Sequence, residues 1–196
     1  MGEKVKTVGG MEGVVSLLDD EHYASVEGIW RELERDFGVR GVYATPFPHF
    51  SYQVAESYPP ELTDAALSEA ARECRPFKIR TAGLGVFNAT HPVLYVAIVR
   101  GPELSALHEL LWSRLAPAGR GVSDYYSPGE WVPHITLAQS NIDYEQLCSI
   151  MRSLGSRSFH WEVTVDNLSL IYDTGERQGM RCRYQFGGGT HLTPEE

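Results

Sequence analysis

Pro48-His49-Phe50-Ser51-Tyr52-Gln53-Val54 and Trp131-Val132-Pro133-His134-Ile135-Thr136-Leu137 are the two stretches on which the reading of this chain turns. In each, the residues alternate with the two-residue period of a β-strand, so side chains two apart leave the same face. His49 and Ser51 therefore project together, and so do His134 and Thr136. Pro46, Pro48 and Pro133 stand at the strand entrances, where a proline fixes the path of the chain without removing a central ladder bond.

Working outward, the order of elements around each histidine is the same. A short buried strand over Gly13 to Leu18 comes first. From Asp20 to Phe37, Val26, Ile29, Leu33 and Phe37 recur at helical spacing behind an acidic first turn, with Gly38 as the stop. After the first histidine strand, Thr63 to Ala70 reads as a helix ended by Pro76. Phe77 to Phe87 and Pro92 to Val99 then form a hairpin. Pro102 opens a helix with Leu104, Leu107, Leu111 and Leu115 on one face, and a Pro, Gly and Tyr-rich loop over residues 117–130 leads to the second histidine strand. Asp143 caps a helix bearing Leu147, Met151 and Leu154. A second hairpin, Phe159 to Tyr172 and Met180 to Phe186, turns over Asp173 to Gln178. Helix, histidine strand, helix, hairpin thus occurs twice, an internal repeat of architecture rather than of identity.

The motif alone is cheap. A chain with 7 His is expected to hold about one His-x-Ser/Thr match by chance. Three occur, and His191-Leu192-Thr193 falls in a Gly-rich end without strand pattern. What sets the other two apart is their strand context in equivalent halves. Were those strands to face each other, two imidazoles and two hydroxyls would converge, a set sufficient for phosphodiester chemistry. One neutral imidazole takes a proton from the attacking oxygen, the other, protonated, supplies one to the leaving oxygen, and each hydroxyl donates to a phosphate oxygen. The scheme calls for no metal and no cofactor.

Composition bounds the alternatives. The chain has 196 residues, 42% hydrophobic and 22% charged, as in ordinary globular domains. A formal charge of −9 argues against a protein that coats long duplex nucleic acid, whose affinity would come from Lys and Arg. The longest apolar run, Val93 to Val99, is too short to cross a bilayer, so a cytoplasmic monomer is expected. Cys74, Cys148 and Cys182 are scattered and lack metal or disulfide spacing. Gly83-Leu84-Gly85 lacks the third glycine of a dinucleotide loop, and no Walker-type loop is present, which leaves ATP-dependent ligation without support.

At these residues the sequence resembles the 2H phosphoesterases, which include bacterial 2′,5′ RNA ligase-like proteins and 2′,3′-cyclic nucleotide phosphodiesterases. Pro133-His134-Ile135-Thr136-Leu137-Ala138 matches that family's second motif closely. His49-Phe50-Ser51-Tyr52 matches the first more loosely, with Ser51 where the family usually has Thr and Tyr52 where it has an aliphatic residue. Phe77 to Phe87, followed by Pro92 and an apolar strand, looks like the hairpin between the motifs. The resemblance covers about residues 13–187. It implies an α+β fold, a bilobal pseudo-twofold repeat in which each lobe is an antiparallel sheet with outer helices and the two His-x-Ser/Thr strands face a central cleft. Gly and charge in residues 1–12 and a Gly-rich stretch with Pro194 in 188–196 mark ends expected to be flexible, which leaves one such domain over 13–187. The resemblance further implies catalytic roles for His49 and His134, phosphate contacts from Ser51 and Thr136, and hydrolysis of 2′,3′-cyclic or 2′,5′-linked phosphodiesters at a small nucleotide or RNA end. The strand register that turns Ser51 inward turns Tyr52 away from the cleft.

Tyr125, Tyr126 and Trp131 are candidates for stacking on a base, and Arg80 for a phosphate contact, against the plainer alternatives of packing aromatics and an arginine paired with an acid. Two rival readings stay open. One is a non-catalytic binder of a nucleotide or RNA end with the same fold. The other is a hydrolase in which His49, His134 and a carboxylate hold a metal.

Overall fold

The computed structural model describes residues 10–188 and 191–192. Its elements, in chain order, are β1 (Met11–Leu17), α1 (Asp20–Phe37), β2 (His49–Ala55), α2 (Pro60–Glu73), β3 (Phe77–Phe87), β4 (Val93–Ile98), α3 (Pro102–Leu115), β5 (His134–Ala138), α4 (Tyr144–Leu154), β6 (Glu162–Val165), β7 (Asn167–Asp173), β8 (Gln178–Gln185) and β9 (His191–Leu192). The expected α+β class holds, with four α-helices set on antiparallel strands. No helix among the described residues is long and apolar enough to cross a membrane.

Local chemistry explains the helix ends. Asp19 caps α1 by accepting from the His22 amide, and Gly38 closes it in the left-handed region at φ 68°. Asp143 and Gln146 form a reciprocal capping box at α4. Pro60 occupies the first turn of α2, so that helix starts before Thr63 and runs on to Glu73.

The strands lie in the order β6-β3-β4-β5-β2-β1-β7-β8-β9, with neighbouring strands antiparallel throughout. The two histidine strands, β2 and β5, are adjacent at the centre and meet at a single pair, Phe50 opposite Ile135. Each hairpin joins the histidine strand of the other half. The β3–β4 hairpin that follows His49 pairs with β5, while the β7–β8 hairpin that follows His134 joins β2 through β1.

The continuous strand expected over 159–172 is also divided. β6 pairs with β3, and after Asp166 the chain crosses to β1 as β7. Asn167 secures that crossing. Its side chain accepts from the Leu17 amide at 3.0 Å and donates to the Leu17 carbonyl at 2.9 Å, replacing a strand partner at the end of β1. β1 begins at Met11, and His191–Leu192 pairs with β8. The expectation of flexibility at residues 1–9, 189–190 and 193–196 lies outside the described residues.

The core gathers Leu33 and Val26 of α1, Leu67 of α2, Leu111 of α3 and Ile150 of α4 with Phe50, Tyr52, Ile135 and Leu137 of the central strands. These strand residues alternate with the histidines and hydroxyls. The helices thus cover one face at the centre of the sheet and leave the face of His49, Ser51, His134 and Thr136 to a cleft of about 770 Å³.

Candidate active site

A register fixed by Phe50 opposite Ile135 sets Ser51 across from His134, and His49 across from Thr136, one step to either side. Directly opposed side chains on a sheet have Cβ atoms about 5 Å apart. The four groups therefore form a crossed quartet, each imidazole facing the other strand's hydroxyl, and all four line the cleft. Alternation persists along β2 only as far as Tyr52. There a bulge, in which Val14 and Val15 of β1 oppose Gln53 and Ser51, turns Gln53 into the core and brings Val54 to the cleft.

Both rings are tied in the same way. His134 Nδ1 donates to the Val132 carbonyl at 2.7 Å, and His49 Nδ1 donates to the Phe47 carbonyl, also two residues upstream. Because a carbonyl can only accept, each bond places the proton of the neutral ring on Nδ1 and leaves Nε2 as the basic atom. Burial and the neighbouring His134 lower the His49 pKa to about 4 from the ordinary 6.5, against a raising effect of the Phe47 bond. Burial also lowers that of His134, and the Val132 bond opposes the shift.

Two indoles brace the same strands. Trp131 Nε1 donates to the Ser51 carbonyl at 2.9 Å and Trp30 Nε1 to the Thr136 carbonyl at 3.0 Å. β2 and β5 share only one residue pair, and the indole N–H groups engage backbone oxygens beside that short contact. Trp131 is only 2% exposed, with His108 stacked at 3.8 Å and Tyr52 at 5.9 Å. Its ring is therefore unavailable to a base, and the stacking role expected for it is corrected to a bracing one. Tyr52 is fully buried, as the register required, and its hydroxyl lies 2.9 Å from Ser16 Oγ.

Tyr125 and Tyr126 both line the cleft, on the short 3-10 turn Asp124–Tyr126. Tyr125 is 83% exposed at the rim. Tyr126 is packed against the core, and burial raises its pKa. Arg80 lies on β3 opposite Glu162, in a separate shallow groove with Trp161 and His160, and is not among the residues that line the cleft. That strand is next to the edge strand β6.

Several residues at or beside the cleft were not legible as site residues. Phe87 meets the His134 ring edge-on at 4.9 Å, and Tyr95 lies 5.2 Å from it. Tyr95 needs Gly85 opposite, because a Cβ there would stand 2.5 Å from its ring. Trp30 sits inside an amphipathic helix, where nothing distinguishes it from packing. Among the described residues that line the cleft there is no Lys or Arg, and Glu12, Glu130 and Asp173 contribute to its wall. Glu12 is held by the Tyr58 amide at 2.8 Å and by Arg181 at 2.7 Å. Among the described residues no three His, Cys, Asp or Glu are grouped as a metal would require.

Residues 18–177 match the sequence profile of the 2′-5′ RNA ligase superfamily. The chain belongs to that superfamily. The resemblance to 2H phosphoesterases drawn from the two histidine motifs is thereby upheld. A candidate phosphoesterase of Bacillus cytotoxicus is 27% identical over 152 residues, covering 76% of this chain and 84% of the relative. Another, from Bacillus pumilus, is 30% identical over 137 residues, covering 66% and 73%. Among solved structures, a phosphoesterase matches with a TM-score of 0.55 at 17% identity over 91% of this chain and 98% of its own. Escherichia coli LigT, complexed with 3′-AMP, matches with a TM-score of 0.54 at 17% identity over 89% and 97%. At such identities the two structures speak for the fold that this superfamily member shares with them.

Proposed function

We propose that this superfamily member is a phosphoesterase of the 2H type that opens 2′,3′-cyclic phosphates, or cleaves 2′,5′-linked phosphodiesters, at the end of a nucleotide or short RNA. The observation that carries the proposal is the crossed quartet on β2 and β5, with both Nε2 atoms left basic by their Nδ1 bonds. A pseudo-twofold arrangement of the two halves about this strand pair belongs to the same proposal.

In the proposed reaction a water oxygen attacks phosphorus and one imidazole Nε2 takes its proton. The P–O bond to the ribose 2′ or 3′ oxygen breaks, and the other imidazole, as imidazolium, gives that oxygen its proton. The product is a phosphomonoester with one free ribose hydroxyl. Ser51 and Thr136 donate to the non-bridging oxygens and so stabilise the charge that gathers there. In the free protein the lowered pKa values keep both rings neutral at pH 7, and an entering phosphate anion favours the singly protonated pair that the reaction needs. The absence of Lys and Arg from the described lining favours a substrate with one phosphate over a polyanion. In this reading Tyr125, exposed at the rim, covers the nucleobase.

The test is turnover of a 2′,3′-cyclic nucleotide by protein stripped of metal with EDTA, with the position of the product phosphate identified. Turnover that survives stripping is expected. Activity restored only by a divalent ion would favour the metal-dependent reading, and tight binding with no turnover of cyclic or 2′,5′-linked substrates would favour a binding protein.

A further inference from the structure

The quartet straddles the weakest seam of the central sheet. β1 pairs with β2 from Glu12 to Leu17, and β4 with β5 from Leu94 to Ala97. β2 and β5, which carry the quartet between them, share only Phe50 opposite Ile135. Strands joined at one point are free to pivot there, and the two imidazoles project from opposite sides of that pivot. A reaction in which both rings move protons at one phosphate is sensitive to such a motion, since a misplacement of about 1 Å can cost a hundredfold in rate.

The indole bonds beside this seam are reciprocal. Trp131, just ahead of His134, donates to the Ser51 carbonyl on the strand of His49. Trp30, on α1 ahead of His49, donates to the Thr136 carbonyl on the strand of His134. Each indole thus holds the hydroxyl-bearing residue of the other half's motif. One comes from a helix and the other from a loop, so the symmetry lies in what they hold and not in the sequence repeat. Trp30 is 5% and Trp131 2% exposed, which strengthens both bonds by excluding water. The rings are themselves held. Besides the His108 stack, Arg100 lies 5.5 Å from the centre of the Trp131 ring and donates to the Trp131 carbonyl at 3.3 Å. Tyr43 meets Trp30 edge-on at 6.2 Å.

We propose that Trp30 and Trp131 are a reciprocal pair of positioning residues, each clamping the hydroxyl-bearing residue of the other half's strand, and that together they fix the separation of His49 and His134 across the substrate phosphate. The proposal rests on the two-histidine reading set out above. Trp30→Phe and Trp131→Phe each remove one clamp. Each should lower kcat for a 2′,3′-cyclic nucleotide, per folded molecule, about ten- to hundredfold. Affinity for 3′-AMP should change less than about threefold, because a bound anion tolerates a spacing that paired proton transfer does not. The double variant should lose less than the product of the two single losses, because both clamps serve one separation. Trp161→Phe, in the groove away from the cleft, should keep the wild-type kcat. Should a Phe variant fail to fold, benzothienylalanine at the same position keeps the indole shape and replaces only its N–H with sulfur.

Wild-type kcat in both single variants, with His49→Ala inactive, would overturn the clamp and leave the two-histidine reading standing. Losses that multiply in the double variant would overturn the shared separation, and losses equal in kcat and in 3′-AMP affinity would overturn the positioning role. If the wild type turns over neither cyclic nor 2′,5′-linked substrate, the reading itself fails, and crystals of the variants then decide the clamp. A change of more than about 0.5 Å between the two Nε2 atoms is expected, and an unchanged separation would overturn it.

Discussion

His49 shows how one residue's surroundings set its chemistry. Its Nδ1 bond orients the ring, while burial and His134 move its pKa to about 4. In the unfolded chain the same imidazole titrates at the ordinary 6.5. Between those values the unfolded state binds more protons than the native state, so stability contributed above pH 6.5 is lost as the pH falls toward 4. His134 and the buried His108, both lowered, act in the same direction. Thermal unfolding followed from pH 7 to 4 should show a falling Tm whose slope flattens in His49→Gln. An identical slope in that variant would contradict the assigned burial of the ring. At the scale of the residue the sequence was most informative about His49, Ser51, His134 and Thr136, because strand period alone puts each pair on one face. It was misleading on Trp131, whose place depends on how the loop over residues 117–130 folds back on β2.

β2 and β5 touch at one residue pair, so their alignment depends on groups that belong to other elements. Trp30 and Trp131 donate to the Thr136 and Ser51 carbonyls, and Asn167 ties β7 to the end of β1. Trp30→Phe retains most of the buried ring and leaves the Thr136 carbonyl without that donor, which should cost about 1–3 kcal/mol in urea unfolding. Asn167→Ala strips two backbone groups of Leu17 of their side-chain partner, and a larger loss is expected, at least about 2 kcal/mol. A change below about 0.5 kcal/mol in either would show that the brace is dispensable. Helices and strands were readable as elements from caps, period and prolines. Their partners were not. The exchange of the two hairpins and the break at Asp166 are settled by pairing across long separations, and nothing in the local pattern of Phe159 to Tyr172 announces that its two parts serve opposite halves of the sheet.

Over the whole molecule, a formal charge of −9 surrounds a cleft whose described lining holds no Lys or Arg. Recognition then falls to hydroxyls, imidazoles and the apolar rim rather than to a field of cations. KM for a cyclic nucleotide should accordingly rise no more than about threefold between 50 and 200 mM salt, as for a single phosphate contact. A hundredfold rise would point to a long polyanion bound over a broad surface. The central claim is that His49 and His134 act as one acid-base pair. The most direct test compares kcat for a 2′,3′-cyclic nucleotide in His49→Ala, His134→Ala and the double variant, all shown folded by circular dichroism. Each single change should lower kcat about 10²- to 10⁴-fold, and the double should be scarcely worse than the weaker single, because either loss disables the pair. A single variant that keeps wild-type turnover, or losses that multiply in the double variant, would contradict it.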